Sequence, residues 1–209
     1  MAQAVARSRQ PRADRTRTHI IETAARAFAE HGYEGVSLNE LVRTSQVSKG
    51  AFYFHFPSKE ELALACFRAK QEELLARLLA EEAPPKLAER LAFLMRRRAG
   101  LVREDPSLGC VTRLGSELNV RSAPGSTYAS FQDLALELIA DLIREGQHGH
   151  DFRTDLDPEA AARAIFATIL GLDALSLLMS GGADLEERSE EVVDLVLRGL
   201  LPRAGAGHC

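Results

Sequence analysis

From about residue 15 to residue 201, apolar positions recur every three to four residues, the spacing of amphipathic helices. Ile20, Ile21, Ala24, Ala25 and Phe28 share one face of a first helix, and the pattern stops at His31 and Gly32, where glycine supplies a C-terminal stop. Ser37, with Glu40 three residues on, forms a capping box and opens a short helix over 38–44. After a three-residue turn, Ser48 caps another short helix that reaches about His55. Pro57 ends it, and Ser58 with Glu61 makes a second capping box for a long helix to about residue 83, stopped at Pro84 and Pro85. Helical patterns follow at about 85–104, 107–120 and 126–146. Asp157 before Pro158 places an N-cap ahead of proline at the first helical position and predicts a helix to about Ser180. Gly181 and Gly182 break it, and a last helix runs over 185–201 before Pro202. The expected fold is all-α, with about nine helices.

Composition supports that class: Ala, Leu, Glu and Arg dominate, 45% of residues are hydrophobic, and tryptophan is absent. Residues 1–14 are rich in Ala, Arg and Gln and read as a flexible basic arm, and residues 203–209 as a disordered tail. Charge divides unevenly. Residues 1–59 hold nine Lys/Arg against five Asp/Glu, whereas residues 60–209 hold seventeen against twenty-five. A basic head on an acidic body points the head alone at a polyanion. Cys66, Cys110 and Cys209 share no metal-ligand spacing and read as free thiols in a reducing cytoplasm. The longest apolar stretch, 164–179, is interrupted by Asp173 and reads as too short to span a bilayer, and no signal peptide is expected. No membrane partner follows from this reading.

The stretch Ser37 to Phe56, SLNELVRTSQVSKGAFYFHF, carries the strongest functional signal. Leu38, Leu41 and Val42 make the inner face of one short helix, and Phe52 and Phe56 that of the next. Two such helices bury little alone, so the helix over 15–31 must close a three-helix helix-turn-helix domain spanning 15–57. The outer face of the second short helix then shows Ser48, Lys49, Gly50, Tyr53 and His55. Lys49 suits a guanine edge or a phosphate, Gly50 and Ala51 permit close backbone approach, and Tyr53 and His55 can donate to phosphate oxygens. Ser37, Thr44, Ser45 and Gln46, at the helix start and in the turn, add polar contacts. Arg7, Arg9, Arg12, Arg15 and Arg17 add affinity through counterion release.

The wording VSKGAFYFHFPSKEELALACF resembles the recognition helix and following linker helix of TetR-family regulators, and KGAFYFHF with SKE is most similar to their γ-butyrolactone receptor subgroup. The likeness is dense over residues 16–67 and looser beyond. It implies a homodimer with an N-terminal DNA-binding domain and a C-terminal helical ligand-binding core, with Lys49, Tyr53, His55 and Lys59 at the DNA surface. Two departures stand out. Gln46 occupies a turn position where the family usually has glycine, so a non-glycine residue is expected in the left-handed region, at about 1 kcal/mol. Butyrolactone receptors usually carry a ligand-packing tryptophan, whereas the corresponding segment here offers Phe131.

Residues 58–202 are assigned to ligand binding and dimerisation. The helix over 158–180 is apolar around most of its circumference, more than one monomer's core covers. With the helix over 185–201 it suits a four-helix bundle across a two-fold axis, with Ala160, Ala164, Gly171, Leu175, Val192 and Val196 at the interface. Such a dimer sets paired recognition helices roughly 34–36 Å apart on a pseudo-palindromic double-stranded operator. Mixed-size apolar residues with a few polar ones, Leu91, Met95, Thr112, Leu114, Tyr128, Phe131, Gln132, Phe166 and Leu170, are candidates for an effector pocket. The expected function is repression relieved by a small lipophilic effector, of γ-butyrolactone or furan type.

 For this reading the alternatives are a ligand-insensitive repressor and a multidrug- or antibiotic-sensing repressor of the same family.

An enzyme is the rival of a different class. The chain shows no nucleophile elbow, HExxH, Walker loop or dinucleotide fingerprint. His148, His150, Asp151, Asp155 and Asp157 lie in a Gly-rich stretch that reads as an interhelical loop, so neither metal nor cofactor is expected. Turnover of a bound metabolite would mark an enzyme; reversible binding that only alters DNA affinity marks a regulator.

Overall fold

A computed structural model describes residues 2–119 and 127–202, with the backbone alone for residues 2–12, 119 and 127–131. Among these residues are nine α-helices, one 3-10 turn and no strand. The helices are α1 (Ala2–His31), α2 (Leu38–Thr44), α3 (Lys49–His55), α4 (Lys59–Leu79), α5 (Leu87–Glu104), α6 (Cys110–Asn119), α7 (Thr127–His148), α8 (Pro158–Ser180) and α9 (Leu185–Leu200). The 3-10 turn spans Pro106–Gly109 and leads into α6. Helix α1 starts well before residue 15. The backbone expected as an irregular arm is helical because Ala, Arg and Gln there are strong helix formers. Residues 203–209, expected as a tail, lie outside the described residues.

The local signals act as chemistry requires. Ser37 Oγ accepts from the Glu40 N–H at 3.1 Å, Ser48 Oγ from Ala51 at 3.3 Å, and Ser58 Oγ from Glu61 at 3.1 Å. Asp157 accepts from the Ala160 N–H at 2.6 Å, with Pro158 at the first helical position. Each contact satisfies a backbone donor that the first helical turn leaves unpaired, and is worth about 1 kcal/mol. Gly181 ends α8 at φ +66°.

Packing divides the chain into two compact units, Met1–Leu74 with Asp105–Arg121, and Leu75–Glu104 with Ser122–Cys209. The division differs from the boundary expected at 57/58. It falls inside α4, and the 3-10 turn and α6 join the first unit because they pack on α1.

In the first unit, Ile20, Ala24 and Phe28 of α1, Leu41 of α2, Phe52 of α3, Leu62 and Phe67 of α4, and Leu108 and Leu114 are all buried. Helix α6 fixes where α1 ends. Arg113 donates to the carbonyls of Glu30 and Ala29 at 2.9 and 3.3 Å, and Glu117 accepts the Tyr33 N–H at 2.6 Å. Gly32 suits that turn because its φ is +73°; a Cβ there would also stand 2.5 Å from the Glu117 carboxylate, which would have to shift.

The buried Lys70 donates to Glu22 of α1 at 2.6 Å and to Glu73 at 2.8 Å. Burial pulls its pKa down, but the hydrogen bonds to the two carboxylates outweigh that and raise it above the ordinary value. Cys66 and Cys110 are buried, and burial pushes both thiols up, Cys110 to about 12. They behave as small apolar side chains rather than reactive thiols.

The second unit packs α5 on α9 and α7 on α8 around Leu91, Met95, Ile143, Phe152, Ile165 and Val193. Arg98 of α5 donates to both carboxylate oxygens of Asp173 of α8 through its two terminal guanidinium nitrogens. That partner explains how one acid sits in the apolar α8. By length and composition alone α8 is long and apolar enough to cross a membrane, a test that a core helix also passes. Ion pairing of its one interior acid to a neighbouring helix suits a helix packed in protein.

Candidate nucleic-acid interface

Helices α2 and α3 meet through a turn whose geometry is set from below. The Ser45 side chain is buried, its hydroxyl donates to the Val42 carbonyl at 3.1 Å, and its own carbonyl accepts from His19 Nε2 at 2.9 Å. Ser45 therefore shapes the turn from inside, which corrects its expected place among the outward polar contacts. Gln46 follows at φ +55° with its side chain exposed, as the departure from glycine predicts.

Helix α3 turns Phe52 inward, with Phe56 buried just after its end. At about 100° per residue, positions near Gly50 and Phe54 then point away from the core, and Tyr53 and His55 lie on the flanks. Exposure follows that geometry. Ser48, Lys49, Gly50 and Phe54 are exposed, while Ala51, Tyr53 and His55 are half-buried. The Lys49 ammonium lies 6.0 Å from the Tyr53 ring centroid, holding a cation beside a phenol. A Cβ on Gly50 would meet nothing within 4 Å, so packing inside the chain places no demand for glycine there.

Ser37 and Thr44 are exposed at the two ends of α2, with Ser37 capping and the Thr44 hydroxyl donating to the Glu40 carbonyl at 2.9 Å. Lys59 is turned inward. It donates to the Val36 carbonyl at 2.9 Å and stands 4.2 Å from the Tyr33 ring centroid, so it ties α4 to the loop before α2. This corrects its expected place at the DNA surface: a backbone carbonyl and an aromatic face hold the ammonium from two sides.

Phe54 is the residue that sequence reasoning missed. It is 81% exposed, and a phenylalanine so placed forgoes roughly 1.5–3 kcal/mol of burial. The signal was present, because position 54 lies about 200° from Phe52 and equally far from Phe56, opposite the face those two define.

The candidate effector residues divide between the units. Thr112 and the buried Leu114 belong to the first unit, whereas Leu91, Met95, Gln132, Phe166 and Leu170 belong to the second. Leu91 and Met95 are packed in its core, and Gln132, Phe166 and Leu170 are half-buried. The side chains of Tyr128 and Phe131 lie outside the described residues. Of the expected dimer residues, Ala160, Ala164, Gly171 and Leu175 are exposed along one side of α8, continuous with Leu178 and Met179. Val192 and Val196 are half-buried and pack toward the unit's core; Leu195, 70% exposed, takes the outward position on α9.

A three-helix head with a polar and aromatic outer helix, in an otherwise helical chain, defines a helix-turn-helix DNA-binding protein. Residues 20–66 match the family described as bacterial regulatory proteins, tetR family. The full-length structure of TylP, a TetR regulator from Streptomyces fradiae, is 30% identical, with 91% of this chain and 89% of that one covered at a TM-score of 0.66. This chain belongs to the TetR family of bacterial regulators. It is also similar to the A-factor receptor protein of Streptomyces griseus, 27% identical over 190 residues, which cover 88% of this chain and 63% of the receptor. The chain thus spans less than two thirds of that relative's length. A γ-butyrolactone receptor described as ArpA-like is 26% identical, with 91% of this chain and 90% of that one covered and a TM-score of 0.70.

Proposed function

We propose that this chain is a cytoplasmic, homodimeric repressor that holds a pseudo-palindromic operator and releases it when a small lipophilic effector binds. The observation that carries the DNA reading is the outward face of α3, where Lys49, Gly50 and Phe54 are exposed and Tyr53 stands half-buried at the flank. In this reading α3 enters the major groove. Lys49 meets a guanine edge or a phosphate, and Tyr53 and His55 meet phosphates. Ser37, Thr44, Gln46 and Ser48 position the head on the backbone.

Two copies pair through the exposed side of α8, with α9 beside it, which sets two recognition helices one helical turn apart. Similarity to a γ-butyrolactone receptor supports an effector of that chemical type, a lactone or furan with an apolar tail. It would be held in the second unit, by Leu91, Met95, Phe166 and Leu170 with Tyr128, Phe131 and Gln132. Helix α4 contributes residues to both units, and its tilt on effector binding would carry the signal, with a coupling of about 1–3 kcal/mol.

A mobility-shift assay with an operator selected from random duplexes tests this function. Lys49→Ala is expected to weaken binding by about 1–3 kcal/mol, and Tyr53→Phe by less, with the dimer intact by sedimentation. Unaltered affinity in both variants would remove α3 as the recognition helix. Titration with synthetic γ-butyrolactones is expected to release the operator. The burial of Leu91 and Met95 among apolar neighbours favours, as a second reading, a repressor that answers no ligand. Binding that persists across lactones, furans and antibiotics would select it.

A further inference from the structure

We propose that Phe54 reads the methyl group of a pyrimidine in the major groove, so that each operator half-site carries thymine opposite the middle of α3. The inference rests on the DNA-binding reading above and adds the base that it selects. Phe28, Phe52, Phe56, Phe67 and Phe152 are no more than 2% exposed, whereas Phe54 is 81% exposed. In the first unit it is the one large hydrophobic side chain left outside among the described residues. Its ring is set edge-on against His55, with centroids 5.3 Å apart and planes at 77°. Gly50, one turn earlier on the same outward face, leaves the space beside it open.

A phenyl ring offers neither a hydrogen-bond donor nor an acceptor, so it cannot read the amino, carbonyl or ring-nitrogen edges of a base. The apolar group that base edges present in the major groove is the C5 methyl of thymine. The open space at Gly50 lets the backbone approach closely enough for that contact. The cation and the phenol on the same helix, Lys49 and Tyr53, remain for edges and phosphates that need polar partners.

The test uses full-length protein and an operator selected from a random duplex pool. Each thymine of that operator is replaced in turn by uracil, which keeps every hydrogen-bonding group and removes only the methyl. Binding is measured for the wild type, Phe54→Ala and Phe54→Leu. At one thymine in each half-site, uracil is expected to weaken wild-type binding about four-fold, the effect of one buried methyl. Phe54→Ala is expected to bind the thymine and uracil duplexes alike at that position, while Phe54→Leu, still apolar, keeps part of the discrimination. A cytosine placed there should bind better once it carries a 5-methyl group. A scan that is flat in the wild type, or Phe54→Ala retaining every uracil penalty, overturns the assignment and leaves DNA binding standing. Failure to enrich any duplex removes the DNA-binding reading and this inference together.

Discussion

The two units differ in how completely they close. In the unit built on α1, the large apolar side chains described for α1, α2, α4 and α6 are buried or half-buried, and Phe54 is the one that stands out among the described residues. In the unit built on α5, α7, α8 and α9, a buried core coexists with exposed Leu138, Leu175, Leu178, Met179 and Leu195. One leucine outside is ordinary, but a run of them along one side of a 23-residue helix is a face without a partner. The first unit thus exposes one large apolar side chain, which the proposed function sets in a groove, and the second a longer run, which it sets against another copy of the chain.

The largest expected effect breaks the second half of that contrast. Leu178→Glu is harmless to a monomer in which position 178 faces water. In a two-fold dimer the same change sets a carboxylate into an apolar interface twice, at a cost of roughly 6 kcal/mol per dimer. Sedimentation should show monomers at concentrations where the wild type is dimeric, and operator affinity should fall with the dimer. A Leu178→Glu protein that stays dimeric places the interface elsewhere.

Phe28→Ala tests the first half. Phe28 is fully buried and stacked on Tyr33, with ring centroids 6.1 Å apart, so its truncation should cost about 3–5 kcal/mol in the head. Hydrogen exchange should register the loss in α1 to α3. The loss should not depend on protein concentration, whereas that of Leu178→Glu should.

What the sequence disclosed, and what it withheld, follows from the range of the forces involved. Ser37, Ser48, Ser58 and Asp157 were legible because a cap acts within three residues of itself. The inward turn of Lys59 was not, because its partners Val36 and Tyr33 are more than twenty residues away. Ser45 looked like any polar turn residue until His19, on another helix, reached its carbonyl. The helical pattern over 107–120 was legible, but periodicity does not say against which helix it packs, and α1 is the answer. In α8, by contrast, an apolar surplus larger than one core needs was visible in the residue order alone, because surplus is a property of composition.

The smallest expected effect concerns Gln46, where backbone strain and side-chain function can be pulled apart. A non-glycine residue in the left-handed region costs about 1–2 kcal/mol, and replacing it by glycine returns about 0.5–1 kcal/mol of that to the unfolded chain as added freedom. Gln46→Gly should therefore stabilise the fold by about 0.5–1 kcal/mol, a rise of roughly 1–4 °C in the thermal midpoint for a chain of this size. Gln46→Ala keeps the strain and removes the amide, so its midpoint should stay near that of the wild type. If the exposed amide touches the operator, both variants lose affinity together although only one gains stability. If its role is confined to the turn, operator affinity survives in both. A fall in the midpoint of Gln46→Gly would contradict the strained turn itself, because the exposed side chain contributes no burial whose loss could explain it.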